Sequence, residues 1–157
     1  MKTVNVYRMI KTKWAAAAFD GDGARITGGR WNSKGVPCVY TSASESLALL
    51  EILVHLQDAS LLRYYTVFEL QIPENLIAVI PEGKLPSDWQ QPLSPPSTAA
   101  LGDNWLKSAS LEMALAVPST IVPREMNYLL KIAHPEYRSI VSRARQMLFY
   151  PDPRLAR

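Results

Sequence analysis

The stretch Gly28-Gly29-Arg30-Trp31-Asn32-Ser33-Lys34-Gly35 has the residue types and spacing best suited to chemistry. Its glycines let backbone N–H groups come close to a ligand. Arg30 adds a planar fork that suits phosphate or carboxylate. Val39-Tyr40-Thr41 follows, and then an apolar segment carrying one carboxylate, Glu51. Together these read as a loop that grips an anion beside an aromatic ring and an acid. Gly35 is not followed by Lys-Ser/Thr, so this is not a Walker loop. The Gly-x-Gly-x-x-Gly spacing of a Rossmann turn is also absent.

Each candidate residue has a structural and a chemical reading. Arg30 is either a solvated loop arginine or a ligand contact. Tyr40, at the end of a short buried strand, either pairs its hydroxyl with backbone in the core or stacks its ring on a planar base or nicotinamide. Glu51 shares a narrow helical stripe with Ser44, Ala48 and His55. That stripe is either a solvent edge with a Glu51–His55 pair or an acid facing a cleft from a rigid helix. Ser119 follows Pro118 at a strand end. No His–Asp arrangement surrounds it as in a hydrolase triad, so hydrogen bonding is its expected role. Asn127, expected on the next helix, serves a loop carbonyl or a ligand. His134, before Pro135, reads as structural. Two histidines and one cysteine without close spacing argue against a zinc site.

The elements that must position these residues follow from pattern. Val4 to Met9 alternates as a strand, and Trp14 to Phe19 suits a short helix. Asp20 to Gly35 reads as a long Gly-rich loop, of a length found in functional or disordered segments. Val36 to Thr41 is a short strand, and Ser44 caps a helix running to about Gln57. Tyr64, Thr66, Phe68, Leu70 and Ile72 share one face of a strand that Pro73 ends. Leu76 to Ile80 is a further strand, and the proline-rich stretch from Pro81 to Ser97 is a surface connection. Thr98 to Ser108 suits a helix. Met113, Leu115 and Val117 alternate towards Pro118. Arg124 to Ile132 reads as a helix, and Ile140 to Tyr150 as a terminal strand. About six strands with short helices make an α+β single domain, residues 1–157, with a mixed sheet.

Bulk properties fit this. The chain has 157 residues, 48% of them hydrophobic and 20% charged, which is ordinary for one globular domain. No apolar run approaches a membrane span. The N-terminal residues lack a signal-peptide core, and the single Cys38 suits a reducing cytoplasm. The net charge of +3 fits an anionic substrate as well as nucleic acid. No Lys/Arg run exceeds two residues, which argues against direct DNA binding.

Val6-Tyr7-Arg8, the segment from Phe19 to Ala24, the Gly28–Pro37 loop, Val39-Tyr40-Thr41-Ser42 and Leu49-Leu50-Glu51 resemble the RES domain. So do Leu101-Gly102, Val117-Pro118-Ser119, Val122-Pro123, Asn127-Tyr128-Leu129-Leu130, His134-Pro135 and Asp152-Pro153-Arg154-Leu155. The Arg, Glu and Ser that name the family map onto Arg30, Glu51 and Ser119. The sequence departs at Lys131-Ile132-Ala133-His134-Pro135, where Asn-Pro-Ala-His-Pro is expected. The resemblance implies a toxin of a bacterial type II toxin–antitoxin pair, with a fold similar to ADP-ribosyltransferase toxins. It implies an Xre-type helix-turn-helix antitoxin as partner, with DNA reached only through that antitoxin.

The resemblance also implies NAD+ as substrate, with no separate cofactor and no metal. Cleavage at the nicotinamide–ribose bond, by hydrolysis or phosphorolysis, would deplete NAD+ and arrest growth. Glu51 would stabilise the oxocarbenium-like transition state. Arg30 would hold phosphate, with Arg8 as second clamp. Tyr40 would stack on nicotinamide, and Ser119 would bond the carboxamide or ribose. Trp31 and Asn127 complete the expected binding set. The alternatives are ADP-ribosylation of a host protein and a noncatalytic nucleotide-binding regulator.

Overall fold

The computed structural model describes residues 1–156. Seven strands form one sheet: β1 (Thr3–Lys11), β2 (Val39–Ser42), β3 (Tyr65–Pro73), β4 (Ile77–Val79), β5 (Ala114–Pro118), β6 (Met126–Leu130) and β7 (Arg145–Met147). Their order is β4-β5-β6-β2-β1-β3-β7. β4 and β5 pair in parallel, and every other neighbouring pair is antiparallel. The α-helices are α1 (Asp22–Thr27), α2 (Glu45–Leu53), α3 (Pro96–Lys107) and α4 (Tyr137–Val141). The expected α+β domain with a mixed sheet is what forms.

The longest ladder joins β1 to β3, from Thr3↔Pro73 to Lys11↔Tyr65. By contrast, β1 and β2 meet only at Tyr7↔Ser42. The sheet is therefore two panels joined at one point. Near this seam Arg8 replaces the missing ladder: its guanidinium donates to the Tyr40 carbonyl at 3.0 Å and to the Ala18 carbonyl at 2.6 Å. A buried carbonyl without a strand partner needs such a donor. Burial draws the Arg8 pKa below the usual guanidinium value.

One side of the sheet packs Val6, Val39, Leu70, Ile72 and Leu130 against Tyr137 and Ile140 of the α4 segment. On the other side, Leu115, Val117 and Leu129 pack with Trp31, Cys38 and α3, while Met9, Tyr65 and Val67 pack with Ala48 of α2. Ser44 caps α2 as expected, accepting from the Leu47 N–H at 3.1 Å.

Three element assignments are corrected. Arg124 to Ile132 is not helical: Met126–Leu130 is strand β6, between β2 and β5. A short apolar strand enclosed by two neighbours carries the same dense hydrophobic run as a buried helix, so periodicity misreads it. The terminal segment is not one strand from Ile140 to Tyr150. It is α4 followed by the three-residue edge strand β7, which pairs with β3 alone. The loop from Asp20 to Gly35 also contains a helix, α1, which ends at Gly28 with φ 70°, a left-handed conformation that favours glycine.

Helix α3 is seated against the turn that carries Arg30. A Cβ on Gly102 would stand 1.7 Å from the Trp31 carbonyl oxygen. Gly102→Ala is therefore expected to cost about 3 kcal/mol, since backbone must move to make room. Urea unfolding followed by fluorescence measures the loss.

Candidate functional site

The turn from Gly29 to Asn32 is closed by its own hydrogen bond, Gly29 N–H to Asn32 carbonyl at 3.0 Å. Asn32, almost fully buried, is its keystone. Its Nδ2 donates to the carbonyls of Ala24 and Val36 at 2.9 and 3.0 Å, and its Oδ1 accepts from the Tyr40 hydroxyl at 2.6 Å. The Tyr40 oxygen in turn accepts from Trp31 N–H at 3.0 Å. α3 adds two ties: Thr98 Oγ1 donates to the Arg30 carbonyl at 2.6 Å, and Asp103 accepts from Ser33 N–H at 2.9 Å.

This geometry changes the role of the loop. Backbone N–H groups of Gly28, Gly29, Trp31, Ser33 and Gly35 are bonded inside the protein, so they do not form an anion-binding nest. Their work is to fix the turn from which Arg30 projects. Trp31 is 3% exposed and packs in the core, so the expectation that it binds ligand is corrected. The glycine at position 29 is required by proximity: a Cβ there would lie 2.7 Å from the Tyr40 hydroxyl.

Arg30 itself is half-buried. It donates to the carbonyls of Trp89 at 2.9 Å and Pro92 at 3.3 Å, in the proline-rich segment that passes over it. Burial lowers its pKa, and the negative charge of Glu51 opposes that shift. The guanidinium and the carboxylate thus share one electrostatic environment, although they form no salt bridge.

Glu51 does not pair with His55. Its Oε2 accepts from Ser119 Oγ at 2.9 Å and from Asn127 Nδ2 at 2.5 Å. Among the described residues, Oε1 has no hydrogen-bond partner. The solvent-edge reading fails, and the acid is held by the ends of two strands. Ser119 is fully buried, and its Oγ also accepts from the N–H groups of Ile121 and Val122 at 3.0 and 3.1 Å. Its single proton goes to Glu51, so the expected bond to carboxamide or ribose is replaced by a bond to the acid. Asn127 lies on β6 rather than on a helix, opposite both Ser42 and Val117. Ser42 donates to its Oδ1 at 2.7 Å.

The structure therefore brings Arg30, Glu51, Ser119 and Asn127 into one region. It places Arg8 and Tyr40 behind them as braces, with the Tyr40 hydroxyl committed to the turn. Sequence reasoning missed Asn32, Ser42, Thr98 and Asp103. Ser42 had one available signal: it alternates with Tyr40 and so shares its sheet face. His134 is structural as read, with Nε2 2.9 Å from the Leu111 carbonyl and Nδ1 accepting from Glu136 N–H.

Residues 5–152 match the RES domain. The chain belongs to this family. A RES-domain relative, "Toxin Res" of Yersinia enterocolitica, is 38% identical over 150 residues, covering 96% of this chain and 98% of the relative. A second, "Prs ADP-ribosylating toxin" of a Sphingobium species, is 37% identical over 147 residues, covering 92% and 90%. The same fold occurs in a chain of the crystal structure of the M. tuberculosis MbcT–MbcA toxin–antitoxin complex. There the TM-score is 0.68 at 19% identity, over 99% of this chain and 87% of that one. The RES recognition made from sequence motifs holds.

Cys38 and Tyr40 lie beneath the Arg30 turn, where burial makes their ionised forms costly. Desolvation pushes the Cys38 thiol up to about 12 and raises the Tyr40 phenol well above its ordinary value. Both pKa values are higher folded than unfolded. Their contribution to stability is complete below the unfolded values and is lost as pH rises towards the folded ones. Unfolding free energy is expected to decline from about pH 9 upward, by roughly 1.4 kcal/mol per pH unit for each group in its window. Cys38→Ala should flatten the first part of that decline in urea titrations at pH 8 to 11.

Proposed function

We propose that this RES domain is the toxin of a toxin–antitoxin pair, and that it cleaves NAD+ at the nicotinamide–ribose bond. The observation that carries the reading is the Glu51 carboxylate, tied at Oε2 by Ser119 and Asn127 and unpartnered at Oε1. A carboxylate fixed by two donors stays in one orientation and keeps one oxygen for substrate. Nicotinamide in NAD+ leaves as a neutral molecule from a cationic ring, so no general acid is required. When the C1′–N bond breaks, its electron pair passes to the nicotinamide ring and positive charge develops at C1′. Glu51 stabilises that charge. Water then supplies oxygen to C1′ and loses a proton to solvent. Inorganic phosphate would take the same place in phosphorolysis.

Arg30 supplies the second element. It holds the substrate's phosphates with its remaining N–H groups or by leaving the Trp89 and Pro92 carbonyls. The ADP-ribosyltransferase-like reading of the fold is consistent with this division between a phosphate-holding arginine and a catalytic acid. The partner is inferred to be an Xre-type antitoxin acting in the cytoplasm. No helix among the described residues is long and apolar enough to cross a membrane.

A second reading has a specific observation behind it. The relative named "Prs ADP-ribosylating toxin" is 37% identical across most of both chains. Transfer of ADP-ribose to a protein side chain would use the same Glu51 and differ only in the acceptor.

Purified protein incubated with NAD+, with and without phosphate, is expected to release nicotinamide together with ADP-ribose or its 1-phosphate. Mass spectrometry identifies the products. Release of nicotinamide only when a protein acceptor is added would select the second reading. Two variants should separate the roles. Glu51→Gln is expected to lower kcat about 100-fold with little change in KM. Arg30→Ala is expected to raise KM roughly tenfold, because a phosphate contact acts in ground and transition states alike. A folded Glu51→Gln protein with unchanged turnover would sink the mechanism.

A further inference from the structure

We propose that Ser42 is a positioning residue for the catalytic acid, acting through Asn127; this rests on the role given to Glu51 above. An ionised carboxylate is acceptor-only, so the Asn127 amide must present Nδ2 to Oε2. That contact is 2.5 Å. The opposite amide orientation would set two acceptor oxygens against each other. Asn127 Oδ1 then needs a donor, and among the described residues Ser42 Oγ, at 2.7 Å, is the one that provides it.

Ser42 is suited to that task by its place in the sheet. It is 5% exposed, so it meets Asn127 and not a ligand. It lies directly opposite Asn127 in the β2–β6 ladder, and cross-strand partners project to the same face. It is also the residue of β2 that pairs with Tyr7, the single point where the two sheet panels join. Its backbone is therefore fixed on both sides, and its hydroxyl inherits that rigidity. The chain of contacts runs from the panel seam through Ser42 and Asn127 to the Oε2 of Glu51. Loss of the Ser42 hydroxyl leaves Oδ1 without a donor and frees the amide to rotate away from the acid.

The test is a set of steady-state measurements on NAD+ with a structural readout beside them. Ser42→Ala is expected to lower kcat about tenfold and leave KM within about twofold, as loss of one hydrogen bond acting at the transition state implies. Ser42→Thr, which keeps the hydroxyl, should restore most of that loss. In an Asn127→Ala background, Ser42→Ala should have no further effect, because the path is already cut. Independently of turnover, the Asn127 side-chain amide signal, assigned by its absence in Asn127→Ala, should exchange with solvent faster in Ser42→Ala. Ser42→Cys, a near-isosteric weak donor expected to fall between serine and alanine, serves if the alanine variant does not fold. Unchanged kcat and unchanged amide exchange in Ser42→Ala would overturn the proposal, as would full additivity with Asn127→Ala. If Glu51→Gln turns over NAD+ like the wild type, the functional reading itself falls, and amide exchange alone then decides the Ser42 tie.

Discussion

A carboxylate carried on a largely apolar helix has to find hydrogen-bond donors, and Glu51 imposes that demand on the whole domain. α2 is packed against the sheet through Leu47 and Ala48, which leaves the acid half-buried. The donors come from the end of β5 and from β6. They arrive together only because Val117 stands opposite Asn127, with Ser119 just beyond it. The register of two central strands is thus tied to the solvation of one side chain. The proline at 118 ends the ladder, and the chain then turns so that Ser119 is anchored by two backbone N–H groups.

The second half of the site obeys a different rule. Among the described residues Arg30 has no salt-bridge partner of opposite charge, but it has a stiff base. The turn supplies that base by spending its backbone donors inward and by fastening itself to α3 at Thr98, Gly102 and Asp103. Little conformational freedom would be left for a ligand to remove, which is the structural meaning of preorganisation. The proline-rich segment is itself held to Arg30 through two carbonyls.

Much of this could be read from the chain. The Ser44 cap, the first strand and the β3 alternation follow from period and cap chemistry. Arg30, Glu51 and Ser119 were legible from loop composition and from family resemblance. What could not be read depends on strand pairing. Asn127 was assigned to a helix because Met126 to Ile132 has no alternation to betray a strand enclosed on both sides. That error hid its register with Ser42, and so hid the reason why Ser42 matters. Trp31 and the loop N–H groups misled for a related reason. Glycine-rich composition signals close approach, but α3, which occupies the space, is some seventy residues away. Local sequence carries no information about which neighbour will arrive there.

The order in which these residues leave the ribosome has a consequence. Ser119 and Asn127 follow Glu51 by 68 and 76 positions. At about 5–20 residues per second, several seconds of synthesis separate the acid from the groups that orient it. Until β6 has emerged, the nascent chain holds its acid unrestrained and its arginine turn without the full sheet beneath it. A stalled or truncated product therefore lacks the finished constellation, however much of the glycine loop it contains. Whatever harm the completed domain can do is withheld from its own translation intermediates, simply by where in the polypeptide the last two hydrogen-bond donors were placed.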